Sequence, residues 1–147
     1  MKALIQRVSE AKVDIGGKTV AKIGKGLLVF LGVEKGDTKK DLDYLFRKVP
    51  HLRIFEDTHN KMNLSVFDTK GEVLVVSQFT LSADCKKGNR PSFDNSEKAI
   101  TAKEMYMKFA DKLRETGLTV ATGDFGAYMQ VYLINDGPVT IMLDSRK

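Results

Sequence analysis

The sequence predicts an α+β fold: a single domain over residues 1–147, with a strand-rich, barrel-like sheet of antiparallel or mixed pairing and two amphipathic helices. Three observations lead to this prediction. About eight short segments have strand-like patterns, only two segments have the helical period, and most strands follow one another after short turns. A doubly wound fold would need helices that alternate with strands along the whole chain, and this order is absent.

The first strands are marked by alternation and by a glycine pair. Residues 2–8 alternate with a two-residue period, and strand-like residues at 13–15 and 19–21 flank Gly16-Gly17. Because glycine tolerates the positive φ of tight turns, this pair predicts a hairpin. The run 26–33 is apolar on both faces and predicts a buried central strand.

The first predicted helix follows this strand. Its apolar residues have the spacing i, i+3, i+4 and i+7: Leu42, Leu45, Phe46 and Val49. Asp37 or Thr38 can cap its N terminus, and Pro50 should close or distort its last turn.

The rest of the chain adds short strands and the second helix. We expect a short strand at 52–55, a buried strand at 72–78 and an irregular loop at 82–95. The second amphipathic helix is marked by Ala102, Met105, Tyr106, Phe109 and Leu113 and should stop near Gly117. The last predicted strands are 119–122, 128–134 and 139–143.

Composition limits the class of protein. With 147 residues, of which 42% are hydrophobic and 29% charged, the chain can bury a core and does not have the composition of a disordered protein. Its longest apolar run is far shorter than the roughly 18 residues needed to span a bilayer, and we identify no signal peptide. Since Cys85 is the only cysteine, no intrachain disulfide can form. We therefore expect a cytoplasmic protein that does not bind membranes.

Common catalytic motifs are not found. Gly17-Lys18-Thr19 lacks the earlier glycine of a phosphate-binding loop and leads into a strand rather than a helix. His51 and His59 do not have a metal-ligand spacing, and Ser77 lacks the Gly-x-Ser-x-Gly motif of esterases. No side-chain triad is visible, and we expect no metal and no cofactor. On these residues alone, a strand-rich interaction module is an equally good interpretation.

Two segments of the sequence are more informative about function. Ser77-Gln78-Phe79-Thr80-Leu81 ends a predicted strand, and Asn135-Asp136-Gly137-Pro138-Val139-Thr140 lies between two others, where a hairpin turn is the simplest interpretation. Together, in this order and spacing, they resemble the two signature segments of the D-aminoacyl-tRNA deacylase family. The similarity covers nearly the whole chain, since further stretches agree at 6–8, 52–57, 61–63 and 88–93.

The resemblance implies a site shared between two subunits. Members of the family are homodimers with active sites at the subunit interface. One segment would line the pocket for the 3′-terminal adenosine and its esterified amino acid, with Ser77, Gln78, Phe79 and Thr80 as the catalytic segment. The Gly137-Pro138 peptide would be cis and reach into the partner subunit's pocket. The expected partner is tRNA charged with a D-amino acid or with glycine.

The resemblance also suggests a mechanism. The ester is already activated, so the enzyme needs a held water and donors for the developing oxyanion, for which the N–H groups of Phe79 and Thr80 are suited. The 2′-hydroxyl of the terminal ribose would position the water. Thr80 as a covalent nucleophile is the rival hypothesis, although no general base is visible beside it.

Further residues take roles from the same resemblance. Arg7 would lock the Gly-Pro segment through its planar donor fork, with a surface salt bridge as the alternative. Ala102 would line the pocket, although a core alanine is nearly as good an interpretation. The net charge is +5, and Lys86, Lys87 and Arg90 directly follow the catalytic segment, where they would contact tRNA phosphates.

Two alternatives remain open at the level of sequence. One is a non-catalytic RNA-binding α+β module, which would need aromatic residues displayed on a sheet face. The other is an editing deacylase for small or achiral amino acids with a trans Gly-Pro unit.

Overall fold

The computed structural model describes residues 1–147 and contains a mixed six-stranded sheet, a small two-stranded sheet and two α-helices. The strands are β1 (Lys2–Ile15), β2 (Lys18–Ile23), β3 (Gly26–Gly32), β4 (Phe55–Glu56), β5 (Met62–Leu64), β6 (Glu72–Ser77), β7 (Val120–Thr122) and β8 (Gln130–Asp144). The helices are α1 (Lys39–Lys48) and α2 (Ala99–Glu115), and short 3₁₀ turns span Val49–His51 and Phe79–Ser82. Neither α1 nor α2 has the length and apolar character of a membrane-spanning segment.

Strand β1 organises the sheet. One edge of it pairs antiparallel with β8, and the other edge pairs first with β3 and then with β2. The β1–β2 hairpin turns at Gly16 and Gly17, whose φ angles of +56° and +79° confirm the turn predicted from the glycine pair. The two strand segments expected at 2–8 and 13–15 form one continuous strand. Along the same edge, residues 2–8 of β1 pair with β3 and residues 11–15 pair with β2.

The sheet becomes parallel where helices intervene. β3 pairs with β6 and β6 pairs with β7 in parallel. Such pairs need a long crossover, which α1 and α2 provide. The predicted fold class is therefore confirmed: a barrel-like mixed sheet with two helices.

The core has two parts, one on each face of the sheet, because side chains alternate along each strand. In β3, Leu27, Val29 and Leu31 face the helices and belong to the larger cluster, which includes Phe109 of α2. Leu28 faces the opposite way and belongs to the smaller cluster. All five side chains are almost completely buried.

Helix α1 begins as its sequence predicts. The hydroxyl of Thr38 accepts a hydrogen bond from the Lys40 amide at 3.2 Å, and Asp41 accepts one from the Thr38 amide at 2.7 Å. This is a capping box. The helix ends at Lys48, and Pro50 lies in the separate 3₁₀ turn that follows.

Two predictions of strand boundaries are wrong. The strand expected at 52–55 is reduced to Phe55–Glu56. The predicted strands 128–134 and 139–143 are not two strands joined by a hairpin turn, since 130–134 and 139–143 both belong to β8 and residues 128–129 precede it. In the β1–β8 pairing Gln6 faces Thr140 and Val8 faces Asn135, so residues 136–139 form a bulge opposite the single residue Arg7.

Candidate active site

The segment after β6 makes a tight turn at the edge of the sheet. The Gln78 amide still donates to the carbonyl of Leu31 in β3, at 2.9 Å. The following 3₁₀ turn is closed by Leu81 N to Gln78 O at 3.3 Å and by Ala83 N to Thr80 O at 3.1 Å. The N–H groups of Phe79 and Thr80 come before the first bonded amide of this turn, at the end where helical turns leave donors free.

A cleft of about 420 Å³ opens beside this turn. It is lined by Ser77, Gln78 and Phe79, by Ala102 of α2 and by the segment 125–129 before β8. Eleven of its sixteen lining residues are hydrophobic, so charges that develop inside are poorly screened and hydrogen bonds there are strengthened. The structure thus brings three of the four residues of the predicted catalytic segment together with Ala102.

Thr80 has a different position from the rest of the segment. Its side chain is exposed and does not line the cleft. Gln78 Nε2 donates a hydrogen bond to Thr80 Oγ1, so an amide group rather than a base contacts the hydroxyl. No histidine, cysteine, lysine or arginine lines the cleft, and its only carboxylate, that of Glu97, accepts a hydrogen bond from the Lys98 amide at 2.7 Å.

Ala102 fits both interpretations that its sequence position allowed. It is half-buried, packs against the larger core cluster and also forms part of the cleft wall. A larger side chain at this position would extend into the cleft or into the core.

The bulge of β8 carries the second signature segment. Gly137 and Pro138 are exposed, and the peptide bond between them is cis, as predicted. Arg7 lies beneath the bulge and is only 6% exposed, and it also pairs with two half-exposed carboxylates, those of Asp136 at 3.6 Å and Glu56 at 4.0 Å. Its guanidinium donates to the carbonyl oxygens of Asp136 at 2.9 Å and Ile54 at 2.6 Å.

The two signature segments do not line the same cleft within this chain. Gly137 and Pro138 are absent from the lining of the cleft that Ser77, Gln78 and Phe79 form. The exposed bulge and the cleft are separate features of the same chain.

Comparison with known proteins assigns the family. The family model for D-Tyr-tRNA(Tyr) deacylase matches residues 4–144. A D-aminoacyl-tRNA deacylase of Thermotoga petrophila is 58% identical over 147 residues, covering 100% of this chain and 99% of the relative, and one of Aquifex aeolicus is 56% identical with the same coverage. The chain belongs to the D-aminoacyl-tRNA deacylase family.

Two solved structures share the fold of this chain. A structure described as c-Myc DNA Unwinding Element Binding Protein superposes with a TM-score of 0.93 at 45% identity, covering 98% of both chains. A probable eukaryotic D-amino acid tRNA deacylase superposes with a TM-score of 0.83 over 97% of both chains, and at 18% identity this match shows a shared fold. As a D-aminoacyl-tRNA deacylase, the chain is an enzyme that hydrolyses the ester bond of D-aminoacyl-tRNA.

The basic residues singled out in the sequence lie on an exposed loop that follows the 3₁₀ turn Phe79–Ser82. Lys86, Lys87 and Arg90 are exposed, and none of them pairs with a carboxylate. We call residues 85–91 the basic loop. Its ends are held together by two backbone hydrogen bonds between Asp84 and Ser92, at 2.8 and 2.9 Å.

Several residues around the cleft carry no motif that marks them in the sequence. Ser96 Oγ donates to the carbonyl of Phe79 at 3.2 Å, and Tyr128 lines the cleft. Tyr106 supports the cleft from α2: burial raises the pKa of its phenol to about 12, and its hydroxyl donates to the carbonyl of Val75 at 2.9 Å. The sequence contains a signal for Tyr128, since residues 123–128 include two glycines and two aromatic residues, but the alternation of residues 128–134 predicts a strand there instead.

Proposed function

We propose that this deacylase releases D-amino acids, and glycine, from the 3′-terminal adenosine of tRNA in the cleft beside Ser77, Gln78 and Phe79. The observation that carries the proposal is the composition of the cleft. It is mostly apolar, it contains no histidine or cysteine, and Phe79, the first residue of the 3₁₀ turn, lines it. Such a site is suited to stabilise an oxyanion without supplying a nucleophile of its own.

The proposed reaction uses water and the substrate's own ribose. The oxygen of a water molecule adds to the ester carbonyl carbon, and the N–H groups of Phe79 and Thr80 donate to the resulting oxyanion. The bond between the carbonyl carbon and the ribose oxygen then breaks. A proton passes from the attacking water to the departing ribose oxygen by way of the neighbouring 2′-hydroxyl, which leaves the free amino acid and tRNA with an intact 3′ end.

A nucleophilic Thr80 is the rival mechanism. It would need a base that removes the hydroxyl proton in the course of attack. The group in contact with Thr80 Oγ1 is the side-chain amide of Gln78, which acts as a donor there. This contact favours the proposal that Thr80 acts through its backbone.

The proposed chiral filter comes from a second copy of the chain. Gly137 and Pro138 lie on an exposed bulge whose base is held by Arg7, and we place this bulge in the cleft of the partner subunit. A rigid backbone wall there excludes an L side chain, whereas an ordinary pocket separates ligands by only about 1–3 kcal/mol per methylene-sized difference. A glycyl ester has no side chain to exclude and passes the filter.

The proposal has further parts. The active unit is a homodimer, since neither subunit alone places both signature segments in one site. Lys86, Lys87 and Arg90 contact tRNA phosphates, and the enzyme acts in the cytoplasm, where charged tRNA is used.

The decisive experiment compares esters of opposite chirality. Purified protein is incubated with D-tyrosyl-, L-tyrosyl- and glycyl-tRNA, and loss of the ester is followed. We expect hydrolysis of the D-tyrosyl and glycyl esters and none of the L-tyrosyl ester. Equal hydrolysis of both tyrosyl esters would refute the filter, and cleavage of only glycyl esters would favour an editing enzyme for small amino acids.

A second substrate tests the mechanism. D-tyrosyl-tRNA whose terminal adenosine lacks the 2′-hydroxyl should react at least about a hundredfold more slowly, because the group that positions the water is missing. Analytical ultracentrifugation of the same preparation gives the oligomeric state. An active monomer would contradict the shared site.

A further inference from the structure

Three aromatic rings stand exposed at one side of the molecule, around the cleft. The exposed fraction is 56% for Phe79, 38% for Phe93 and 90% for Tyr128. Aromatic side chains contribute large apolar areas and are usually buried. Several of them exposed in one place are typical of a binding surface.

The three rings come from different segments but are linked in space. Phe79 and Tyr128 both line the cleft, the first from the turn after β6 and the second from the segment before β8. Phe93 packs against Phe79 with ring centroids 5.1 Å apart and an interplanar angle of 69°, which is an edge-to-face contact. The Phe79 ring is thus supported from one side while more than half of its area is open to solvent.

The basic loop lies between two of these aromatic residues. The chain leaves Phe79, passes through residues 85–91 and returns at Phe93, where the ring contact closes the loop. Lys86, Lys87 and Arg90 are exposed on this loop between the two aromatic residues, and none of them forms an ion pair with a carboxylate. Aromatic rings combined with free cations are the features by which proteins hold single-stranded nucleic acid, because bases stack and phosphates pair with charge.

We propose that Phe79, Phe93 and Tyr128 form a stacking platform for the unpaired bases that precede the terminal adenosine of the substrate RNA. The bases stack on the rings while the basic loop follows the phosphates between them. This inference rests on the proposed function, since it extends the same cleft along the RNA. Stacking does not depend on base identity, so the platform accepts many tRNAs.

The test compares two substrates that differ only in the RNA beyond the terminal nucleoside. Variants Tyr128→Leu and Phe93→Leu are assayed on D-tyrosyl-tRNA and on D-tyrosyl-adenosine, an ester without preceding bases. We expect the ratio of kcat/KM on charged tRNA to kcat/KM on the nucleoside ester to fall by at least about fivefold in each variant. The control is Tyr132→Leu: Tyr132 is a 47% exposed tyrosine that does not line this cleft, and its variant should keep the wild-type ratio.

A second measurement does not depend on catalysis. An uncharged RNA hairpin with a single-stranded 3′ tail carries 2-aminopurine at the second-last position, and its fluorescence falls when the base stacks. Wild-type protein should quench the probe, and Tyr128→Leu should quench it less at saturating protein.

Several outcomes would overturn the platform. Equal losses on both esters would assign the rings to the nucleoside pocket, and an unchanged ratio with unchanged quenching would leave the rings without a role in binding. Dissociation of Tyr128→Leu into monomers in the ultracentrifuge would assign Tyr128 to a contact with a second copy. If wild-type protein cleaved neither ester, the proposed function would fail, while quenching of the uncharged probe would still decide whether the platform exists.

Discussion

The guanidinium of Arg7 holds the carbonyl oxygen of Asp136, at 2.9 Å from Nε, and thereby fixes the residue before Gly137. Its Nη1 donates at the same time to the carbonyl of Ile54 at 2.6 Å. One side chain therefore ties the bulge of β8 to the segment before β4. Because Arg7 is 6% exposed, few water molecules can replace these bonds.

Replacing Arg7 tests how rigid the bulge must be. Lysine lacks the planar fork and cannot keep both carbonyl contacts, so Arg7→Lys should destabilise the fold by about 2 kcal/mol. Under the proposed chiral filter it should also reduce the ratio of D-ester to L-ester hydrolysis, since a mobile bulge would exclude L side chains less well. Urea unfolding and the two deacylation rates measure these effects.

Arg114 provides the control for that substitution. Its ion pair with Asp111, at 2.8 Å, lies between side chains that are 39% and 57% exposed. Arg114→Lys should lower the free energy of unfolding by less than about 1 kcal/mol and leave the ratio of D-ester to L-ester hydrolysis unchanged. Equal stability of Arg7→Lys and Arg114→Lys would contradict the anchoring role of Arg7.

A second prediction concerns Gly137, which has a φ of +131°. An added Cβ would lie 2.8 Å from Arg7 Nη2 and 2.9 Å from Val139 Cγ2, and Arg7 cannot move without losing its two carbonyl contacts. Gly137→Ala should therefore destabilise the fold by about 2 kcal/mol or more, as measured by urea unfolding. Gly117→Ala separates the two effects, since Gly117 has a φ of +89° with no atom within 4 Å of an added Cβ. Gly117→Ala should lower the free energy of unfolding by only about 1 kcal/mol.

A third prediction concerns acid stability and Asp41. Burial acts to raise the pKa of Asp41, but hydrogen bonds from the Thr38 amide and from the hydroxyls of Ser145 and Thr38 outweigh it and lower the pKa to about 2. In the unfolded chain the pKa returns to its ordinary value of 3.8. The ionised carboxylate therefore stabilises the fold fully above about pH 4, and this stabilisation is lost as the pH falls toward about 2.

The substitution Asp41→Asn isolates this effect. It should lower the free energy of unfolding by about 1–2 kcal/mol at neutral pH, and the difference from wild type should shrink as the pH approaches the lower pKa. Urea unfolding across this pH range provides the measurement. Asp111→Asn, at an exposed position, is the control. If the stability difference between wild type and Asp41→Asn persisted unchanged in acid, the lowered pKa of Asp41 would not be its cause.

Elements set by local chemistry could be predicted from the sequence. The Thr38 cap, the turn at Gly16 and Gly17 and the buried strand β3 each depend on residues close together in the chain. The same holds for the amphipathic face of α2, because a helical period is visible within a few turns.

Features that depend on distant partners could not be predicted in this way. The bulge at 136–139 forms because these four residues of β8 lie opposite the single residue Arg7 of β1. The sequence alone does not show this, since Asn, Asp, Gly and Pro favour a simple turn equally well. Family resemblance suggested candidate site residues in two segments, but not that these segments lie apart within the chain. The alternation of polar and apolar residues from Tyr128 onward predicts a strand, and it gives no indication that Tyr128 lies at the cleft.

A fourth prediction concerns Gly32, at the end of β3. An added Cβ would lie 3.0 Å from the carbonyl oxygen of Gln78 and 3.2 Å from Cβ of Leu81, so the 3₁₀ turn that the proposed mechanism uses would have to move by a few tenths of an ångström. Gly32→Ala should lower kcat on D-tyrosyl-tRNA by about tenfold, since small misplacements of donors are costly in catalysis. In Gly24→Ala the nearest atom, Glu72 Oε2, is at an ordinary 3.6 Å, and this control should keep wild-type activity. Similar rates for both variants would show that the position of Gln78 is not critical.

The last prediction decides between the two roles of Thr80. If its N–H donates to the oxyanion, Thr80→Ala and Thr80→Ser both keep the backbone donor and should retain kcat within about threefold of wild type. If its hydroxyl attacks the ester, the serine variant should stay active while the alanine variant loses at least about a thousandfold. Single-turnover hydrolysis of D-tyrosyl-tRNA distinguishes these outcomes, and rapid acid quenching would trap an acyl-enzyme only in the second case. The hydrogen bond from Gln78 Nε2 to Thr80 Oγ1 favours the first outcome, because that hydroxyl has a donor rather than a base beside it.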